Sequence, residues 1–388
     1  MKRILGMSVA YIKKTDRVLL IACIALSFCS VILLAGILNT DYVALLRFDQ
    51  RSFLVQCAAV GLGIIFAVSL SFIDYEILVK SWKFHYALCY LAVFATFFFG
   101  VGAEGRLEDK RWLSVPFVGA TVQPTEFLKI SFILTFAYHI YFVHKELNHP
   151  KNILLLFMHG AFPVLLIHLQ GDDGTALSIS IIFLCMLIIC GLNWKYIVGI
   201  AAVAAAAIPV FWTYILQDFQ KLRILALITS LDENNLSETA ANQLREYMYQ
   251  QQQARMAMGT GELFGKGVFS GDHVHVPEIH SDFIFSFLAE SLGLAGALVF
   301  IVVMLTLCLR LLYNAIQCAD IQGKAVFAGI FAMFAFPAVY NLGMCVSLFP
   351  VMGNPMPFLS YGGSSMLANF IALGTALSVY IHKKRMIR

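Results

Sequence analysis

Ten apolar runs, each long enough to cross a hydrocarbon core of ~30 Å, constrain the fold of this chain more than any other feature. They fall at about 18–38, 53–73, 84–102, 126–143, 153–169, 174–192, 196–216, 283–309, 325–350 and 364–381. Charged residues make up 13% of the sequence, whereas soluble proteins average ~25%. The sequence therefore predicts an all-α polytopic membrane protein of about ten transmembrane helices, with residues 1–388 forming a single transmembrane domain.

The distribution of Lys and Arg predicts the orientation of these spans. Basic residues are concentrated before the first span and in the connections on the same side, and the N-terminal ones are Lys2, Arg3, Lys13, Lys14 and Arg17. The short connections on the other side hold five in all, fewer than the N-terminus and the connections of the first side together. These five are Arg47, Arg51, Arg106, Lys110 and Arg111. Because cytoplasmic connections carry the excess of positive charge, both termini are predicted to be cytoplasmic, and the opposite side is the predicted outer face.

The longest connection, residues 217–282, lies between spans seven and eight on the predicted outer face. Its residues 238–258 have helical composition, which predicts an amphipathic helix lying on the bilayer or packed over its surface. A glycine-rich segment follows, and its backbone can approach a ligand closely. Loops of this length are usually functional, so this loop is a candidate for a binding or catalytic role.

Asp282 stands at the end of this loop, where polar sequence changes to the apolar run of span eight. A carboxylate at such a boundary can be partly desolvated, which makes it a stronger general base. The alternative is a structural role as the N-cap of the eighth helix, in which the carboxylate accepts hydrogen bonds from free N–H groups. The residues around Asp282 leave both roles open.

Other polar residues on the predicted outer face are candidates for substrate binding. Trp112 offers a stacking face for a sugar or a lipid, although an interface anchor is the commoner use of such a Trp, and Arg111 is available to an anion. Irregular backbone at membrane depth is tolerated where it lines a cavity. The irregular connection before span ten adds the candidates Ser360, Tyr361, Gly362, Gly363 and Ser364.

Two further charged groups have structural as well as functional interpretations. Glu126 and Lys129 are three positions apart near the start of span four, so they face one another on one side of a helix. Opposite charges inside a span are expensive unless they are paired, and we expect this pair to be a structural lock. Candidate metal ligands, whose spacing matches no standard zinc signature, are Asp172, Asp173, His273, His275 and His280.

Six motifs occur in order along the chain. They read R-W-L at 111–113, Q-P-T-E-x-x-K at 123–129, Q-x-D-x-G-T at 170–175, P-E-x-H-S-D-F-I-F at 277–285, A-E-S-L-G at 289–293 and P-F-L-S-Y-G-G-S-S at 357–365. Together they resemble the SEDS family (shape, elongation, division, sporulation), its elongation branch more than its division branch. The chain departs from the family pattern at Gly171, Asp173, Ser281 and Ser291.

The resemblance implies a ten-helix, inverting peptidoglycan glycosyltransferase in the bacterial cytoplasmic membrane. Its substrate would be lipid II, an undecaprenyl-diphosphate-linked disaccharide peptide, and its partner a class B penicillin-binding transpeptidase; no nucleic acid is expected. The essential acid of the large outer loop corresponds to Asp282, and the important Trp of the first motif to Trp112. The paired charges of the family correspond to Glu126 and Lys129.

The chemistry that the resemblance implies also needs positive charge for the diphosphate leaving group. A divalent cation, Mg²⁺ or Mn²⁺, is one source, and no other cofactor is expected. The protein's own candidates for this role are Arg111, Arg223, Arg255 and Lys266.

Three other functions stay open at this level. A flippase for lipid-linked precursors would place polar residues near the midplane and often contain internal repeats, whereas the polar residues here cluster at one face. A division polymerase would share the same motifs. A non-catalytic scaffold for a transpeptidase would retain Asp282 for folding alone.

Overall fold

The computed structural model of the chain describes residues 14–46, 48–102, 110–114, 121–215, 221 and 238–382. The predicted diphosphate ligand Arg223 lies outside the described residues. The helices are α1 (Arg17–Ile37), α2 (Gln50–Ser71), α3 (Tyr75–Lys80), α4 (Trp82–Phe99), α5 (Pro124–Val143), α6 (Pro150–Leu169), α7 (Asp173–Ile189), α8 (Trp194–Val210), α9 (Glu238–Thr260), α10 (Ile284–Gln317), α11 (Ile321–Cys345) and α12 (Gly363–His382). Strands β1 (Leu113–Ser114) and β2 (Thr121–Val122) form a small antiparallel pair.

Each predicted apolar run coincides with a helix. In the described part of the chain, nine helices are long and apolar enough to cross a membrane, with α8 counted through Tyr214 because a π-helical turn continues it. Helix α7 is a shorter apolar helix of 17 residues. The prediction of an all-α polytopic membrane protein is therefore confirmed. The short α3 and the long α9 are the described α-helices that do not follow an apolar run.

Local sequence explains where several of these helices begin. An N-cap carboxylate accepts hydrogen bonds from free main-chain N–H groups in the first turn, and α1, α2, α7 and α11 are capped in this way by Asp16, Asp49, Asp172 and Asp320. Helices α5 and α6 begin with proline, which is well suited to the first position because its missing N–H is not needed there.

Helices α5, α11 and α12 form the centre of the bundle. In the most apolar 18-residue stretch of each helix, the share of buried residues is 61% in α5 and 72% in both α11 and α12, compared with 0% in α8. Helix α12 packs along α2, while α11 packs against α5, α7 and α10. Because α5, α7, α10 and α12 all begin at the same end of the bundle, that end is called the site end below.

Helix α9 confirms the amphipathic helix expected within the long loop, and it packs over the bundle. Ala254 and Ala257 are fully buried on its inner side. Gln251 Nε2 donates to the main-chain oxygens of Met344, in the last turn of α11, and of Phe349, just beyond it, at 3.3 and 2.8 Å. The loop is thereby attached to the site end.

Helix α10 differs from the predicted eighth span, because it is 34 residues long and is broken at Gly293, where φ is 68° and ψ is −172°. Residues 294–317 alone extend about 36 Å at ~1.5 Å per residue, enough to cross the hydrocarbon core. Residues 284–291 are all buried by the protein. The lipid-facing span therefore starts near residue 294, about ten residues later than the apolar run suggests.

Candidate functional site

The main chain around Asp282 is held on both sides by side chains and main chain from α11 and from the loop before α12. Asn341 Nδ2 donates to the oxygen of Asp282 at 2.8 Å, and Ser360 Oγ donates to the oxygen of Ser281 at 2.6 Å. The N–H of Tyr361 donates to the oxygen of His280 at 2.8 Å. The Asp282 side chain is half-buried at this position.

The structure places Phe283, rather than Asp282, at the N-cap of α10, and Phe283 makes no side-chain capping hydrogen bond. Asp282 lies two residues before α10 starts at Ile284, in a turn whose N–H groups at Asp282 and Phe283 donate to the oxygen of Glu278. The carboxylate of Asp282 is therefore presented by a fixed turn rather than by a helix end. This arrangement suits a group that must meet a ligand in one orientation.

Residues 352–354 lie between Asp282 and the start of α7. A Cβ at Gly353 would lie 3.9 Å from Oδ2 of Asp282, and a Cβ at Gly174 would lie 3.3 Å from Oδ1 of Asn354. The buried Asn341 also donates to the oxygen of Asn354 at 3.1 Å. The two glycines let this segment pass close to Asp282 on one side and to α7 on the other.

A second cluster surrounds Asp172, which is 2% exposed. One carboxylate oxygen accepts from Thr175 N at 3.2 Å and lies 3.5 Å from Arg111 Nη1, while the other accepts from Gln123 Nε2 at 3.0 Å. Arg111 also donates to the oxygen of Gly171. The first, second and third motifs therefore meet at one buried carboxylate.

Ser364 connects this cluster to the loop that holds Asp282. Its Oγ accepts from Gln123 N at 3.1 Å, and it stands in the first turn of α12, four residues after Ser360. Trp112 lies beside Arg111, is half-buried, and is bridged to Val101 through main-chain hydrogen bonds. The predicted substrate residues Arg111, Trp112 and Ser364 thus lie at the same end as Asp282.

Other predicted substrate residues have structural contacts instead. Ser360 is 5% exposed, and its hydroxyl is used by Ser281 O and Met356 N. The ring of Tyr361 packs edge-on against Phe48. Gly362 N donates to a buried glutamine, described next, and Gly363 begins α12.

Gln56 is a positioning residue that the sequence analysis missed. It is fully buried in α2, and its Nε2 donates to the oxygen of Ser360 at 3.2 Å and to Ser30 Oγ at 3.3 Å. Its Oε1 accepts from Gly362 N at 3.1 Å. The only sequence signal was a single amide inside an apolar run, where a buried polar group needs partners.

Glu126 and Lys129 form a buried ion pair in the first two turns of α5. Lys129 Nζ lies 2.8 Å from Glu126 Oε1, and the side chains are 8% and 3% exposed, respectively. The second carboxylate oxygen of Glu126 is buried and makes no hydrogen bond within the described residues. Helix α5 starts directly after Gln123, so the pair lies just below the Asp172 cluster; its role as a lock stays a prediction.

Lys266 is a correction to the predicted diphosphate ligands. Its Nζ lies 2.8 Å from Oε1 of the fully buried Glu290 and donates to the oxygen of Asp272 at 3.3 Å. The ammonium group is therefore engaged by this chain rather than presented to a ligand. Arg255 is exposed on α9, which leaves it accessible.

The five candidate metal ligands do not come together. Asp172 binds Arg111 and Gln123, whereas Asp173 lies 2.7 Å from His168. Within the described residues, no group of three His, Cys, Asp or Glu side chains is arranged to hold a metal ion. The three histidines have other neighbours: His273 is 3.3 Å from Glu290, His275 packs on Tyr42, and His280 packs on Phe48.

His280 is a titratable group two positions before Asp282, with its ring stacked on Phe48 at a centroid distance of 5.3 Å. Burial lowers the pKa of His280 below its ordinary value of 6.5, and the nearby carboxylate of Glu278 only partly opposes that effect. His280 is consequently held neutral, and acidification works against the packing around the site.

The fold and the site define a multi-pass α-helical membrane protein with a polar site built from helix starts at one end of the bundle. The chain belongs to the SEDS family, because the FTSW_RODA_SPOVE family model, "Cell cycle protein", matches residues 16–385.

Two curated relatives and one solved structure agree with that assignment. The peptidoglycan glycosyltransferase MrdB of Escherichia coli strain K12 is 30% identical over 335 residues, which cover 84% of each chain. The probable peptidoglycan glycosyltransferase FtsW of Geobacter sulfurreducens is 28% identical over 388 residues, 97% of each chain. A chain of a solved peptidoglycan synthase complex shares the fold with a TM-score of 0.73 at 23% identity, covering 96% of this chain and 99% of that one.

Proposed function

We propose that this protein is a peptidoglycan glycosyltransferase that polymerises lipid II into glycan strands for cell elongation and shape, with Asp282 as the general base. The observation that carries the proposal is the main-chain clamp around Asp282, formed by Asn341 and Ser360. The names of the curated relatives supply the reaction class. The positive-inside distribution of Lys and Arg supports cytoplasmic termini in the bacterial cytoplasmic membrane and a site on its outer face.

The reaction needs one proton acceptor. The Asp282 carboxylate takes the proton from the acceptor sugar hydroxyl while that oxygen bonds to the anomeric carbon of the donor. The bond from the anomeric carbon to the lipid diphosphate breaks, and the diphosphate leaves with the electron pair, inverting the anomeric centre. The protonated carboxyl then releases its proton to water, which restores the base.

The leaving diphosphate gains charge that must be stabilised. Arg111 is the cation proposed for this role, because it lies in the Asp172 cluster at the same end of the bundle as Asp282 and a guanidinium fork suits phosphate oxygens. Trp112, the next residue, would provide an apolar face for a sugar ring. A divalent cation held by the diphosphate itself is a further source of charge, since Mg²⁺ commonly binds through phosphates and one or two carboxylates.

A class B penicillin-binding transpeptidase is the proposed partner. Support comes from the shared fold with a chain of a complex described as coordinating polymerization and crosslinking. Ala289, Gly293 and Ala297 recur every four residues in α10, a spacing that can mark a helix-docking surface, but all three are buried within this chain. A Cβ at Gly293 would lie 2.4 Å from Gly265 N and 2.5 Å from the carbonyl group of Leu263, so this chain's own loop occupies that position.

The proposal is tested with purified protein and lipid II in detergent micelles, where no bilayer separates substrate from site and transport cannot contribute. We expect glycan strands on a gel from the wild type and from Asp272→Asn, which changes an exposed carboxylate of the same loop. Asp282→Asn, purified in parallel, should make almost none. Absence of strands from the wild type, alone and with a transpeptidase, would leave a scaffold as the better account.

A further inference from the structure

The break in α10 is repaired by a segment of the long loop. At Gly293 the helix cannot make its own hydrogen bonds, and residues 262–267, called the repair segment, supply the missing partners. The bonds run from Lys266 N to Glu290 O, Gly267 N to Ser291 O, Leu294 N to Glu262 O and Ala295 N to Leu263 O, at 2.9, 2.9, 2.9 and 3.1 Å. The loop and the helix are thereby joined through four main-chain bonds.

Two glycines make this close approach possible. Gly293 has a φ of 68° and Gly265 a φ of 80°, a region that residues with a Cβ rarely adopt. A Cβ at Gly265 would lie 2.3 Å from Ser291 O. The repair therefore depends on backbone approaching backbone, and it places the carboxylate of Glu290 directly under the loop.

Glu290 is fully buried and gathers three separate parts of the loop. Its Oε1 accepts from Thr260 Oγ1 at 3.1 Å, from Lys266 Nζ at 2.8 Å and from Val274 N at 2.9 Å. Its Oε2 lies 3.3 Å from Nδ1 of His273, whose side chain is also fully buried. The end of α9, the repair segment and residues 273–274 therefore all contact the side chain of Glu290.

The bond from Val274 N to Glu290 closes a loop in the chain, and Asp282 lies at its midpoint, eight residues from each end. Inside this loop Val276 and Ile279 are fully buried. The loop is therefore fixed at its base by Glu290 and at its tip by the clamp from Asn341 and Ser360.

We propose that Glu290 is a positioning residue for the proposed polymerisation: it sets the base of the loop 274–290 and so the placement of Asp282. The inference rests on the proposed function of Asp282. Glu290 touches neither Asp282 nor the expected reacting atoms, and it acts through the chain between them. Misplacement of a reacting group by about 1 Å can cost ~10²-fold in rate, so a change at Glu290 should act on kcat.

The test uses full-length Glu290→Ala and Glu290→Gln, with Asp272→Asn as the matched control. Glutamine retains an oxygen for Val274 N and Thr260, so Glu290→Gln should recover most of what Glu290→Ala loses. For Glu290→Ala we expect kcat to fall about 10–100-fold, with KM for lipid II within about twofold because binding groups such as Arg111 lie elsewhere. Amide hydrogen exchange should rise in residues 274–282 and stay unchanged in α5, α11 and α12.

Two results would overturn the inference. One is normal kcat and normal exchange at residues 274–282 in Glu290→Ala; the other is a general rise in exchange over the whole bundle, which marks a purely structural residue. A wild type that makes no glycan would refute the proposed function instead. The exchange measurement would still decide whether Glu290 fixes this loop, so the two failures are distinguishable.

Discussion

Asn341 in α11 donates its side-chain amide to the main-chain oxygen of Asp282 at 2.8 Å, and the same amide donates to Asn354 O at 3.1 Å. The proposed base is thus fixed by a helix that belongs to the centre of the bundle. The side chain of Asn341 is fully buried, so water cannot replace it if it is removed.

Asn341→Ala should therefore affect both stability and activity. One buried and one partly buried carbonyl group lose a donor, which should lower the free energy of unfolding by about 1–3 kcal/mol. Displacement of Asp282 should lower polymerisation by up to about 10²-fold. The control is Asn39→Ala, which removes an exposed hydrogen bond to Phe269 O at the site end. Equal effects of the two substitutions on melting and on activity would contradict this role.

Removing one member of the Glu126–Lys129 pair should be worse than removing both. Either single change to Ala leaves a buried charge unpaired, and the expected loss is about 3–5 kcal/mol, whereas the double change should lose less. The more exposed pair Glu76 and Lys80, whose charged atoms lie 2.9 Å apart, serves as the control, and its single changes should stay within about 1 kcal/mol. Additive losses in the Glu126–Lys129 cycle would argue against direct pairing.

Acidification should destabilise the protein through His280. Its folded-state pKa is lowered by burial, so below the ordinary value of 6.5 the unfolded state binds the proton more readily. The neutral, buried His280 therefore stabilises the folded state above pH 6.5, and this stabilisation is lost as the pH falls through that value. His280→Phe should reduce the drop in melting temperature between pH 7.5 and pH 5.5 while preserving the stacking on Phe48. An unchanged drop would place the titrating group elsewhere.

Gly293→Ala should disrupt the repair of α10. The new Cβ would meet main-chain atoms of the loop at 2.4–2.5 Å, and the residue has a positive φ. Strain of this kind costs about 1–3 kcal/mol, and the melting temperature should fall accordingly. In contrast, Gly199→Ala in α8 has nothing within 4 Å and should be neutral or slightly stabilising. A melting temperature that is the same in both variants would mean that the loop can move away freely.

The sequence predicted the helices and the residues at the site end, because apolar length and local motifs are properties of neighbouring residues. It did not predict the break at Gly293, since the apolar run continues through it without a change in composition. It also assigned Lys266 to the substrate, although its partner Glu290 is 24 positions away. Such pairings depend on tertiary packing, which a local pattern does not contain.

The clamp on Asp282 illustrates the same limit. Ser360 lies in a motif that pointed to the site, yet the structure uses its hydroxyl to hold Ser281 and Met356. Gln56 and Asn341 were visible only as single amides in apolar runs. Their roles follow from which buried donors and acceptors face them, and that information comes from the fold alone.

The role of Asp282 as general base is tested most directly by the rate of lipid II polymerisation by Asp282→Asn, measured on protein whose melting temperature matches that of the wild type. Asparagine has nearly the same shape but cannot take a proton. We expect a rate lower by about 10²–10⁴-fold, the usual loss when a general base is removed. A rate within about threefold of the wild type would contradict it.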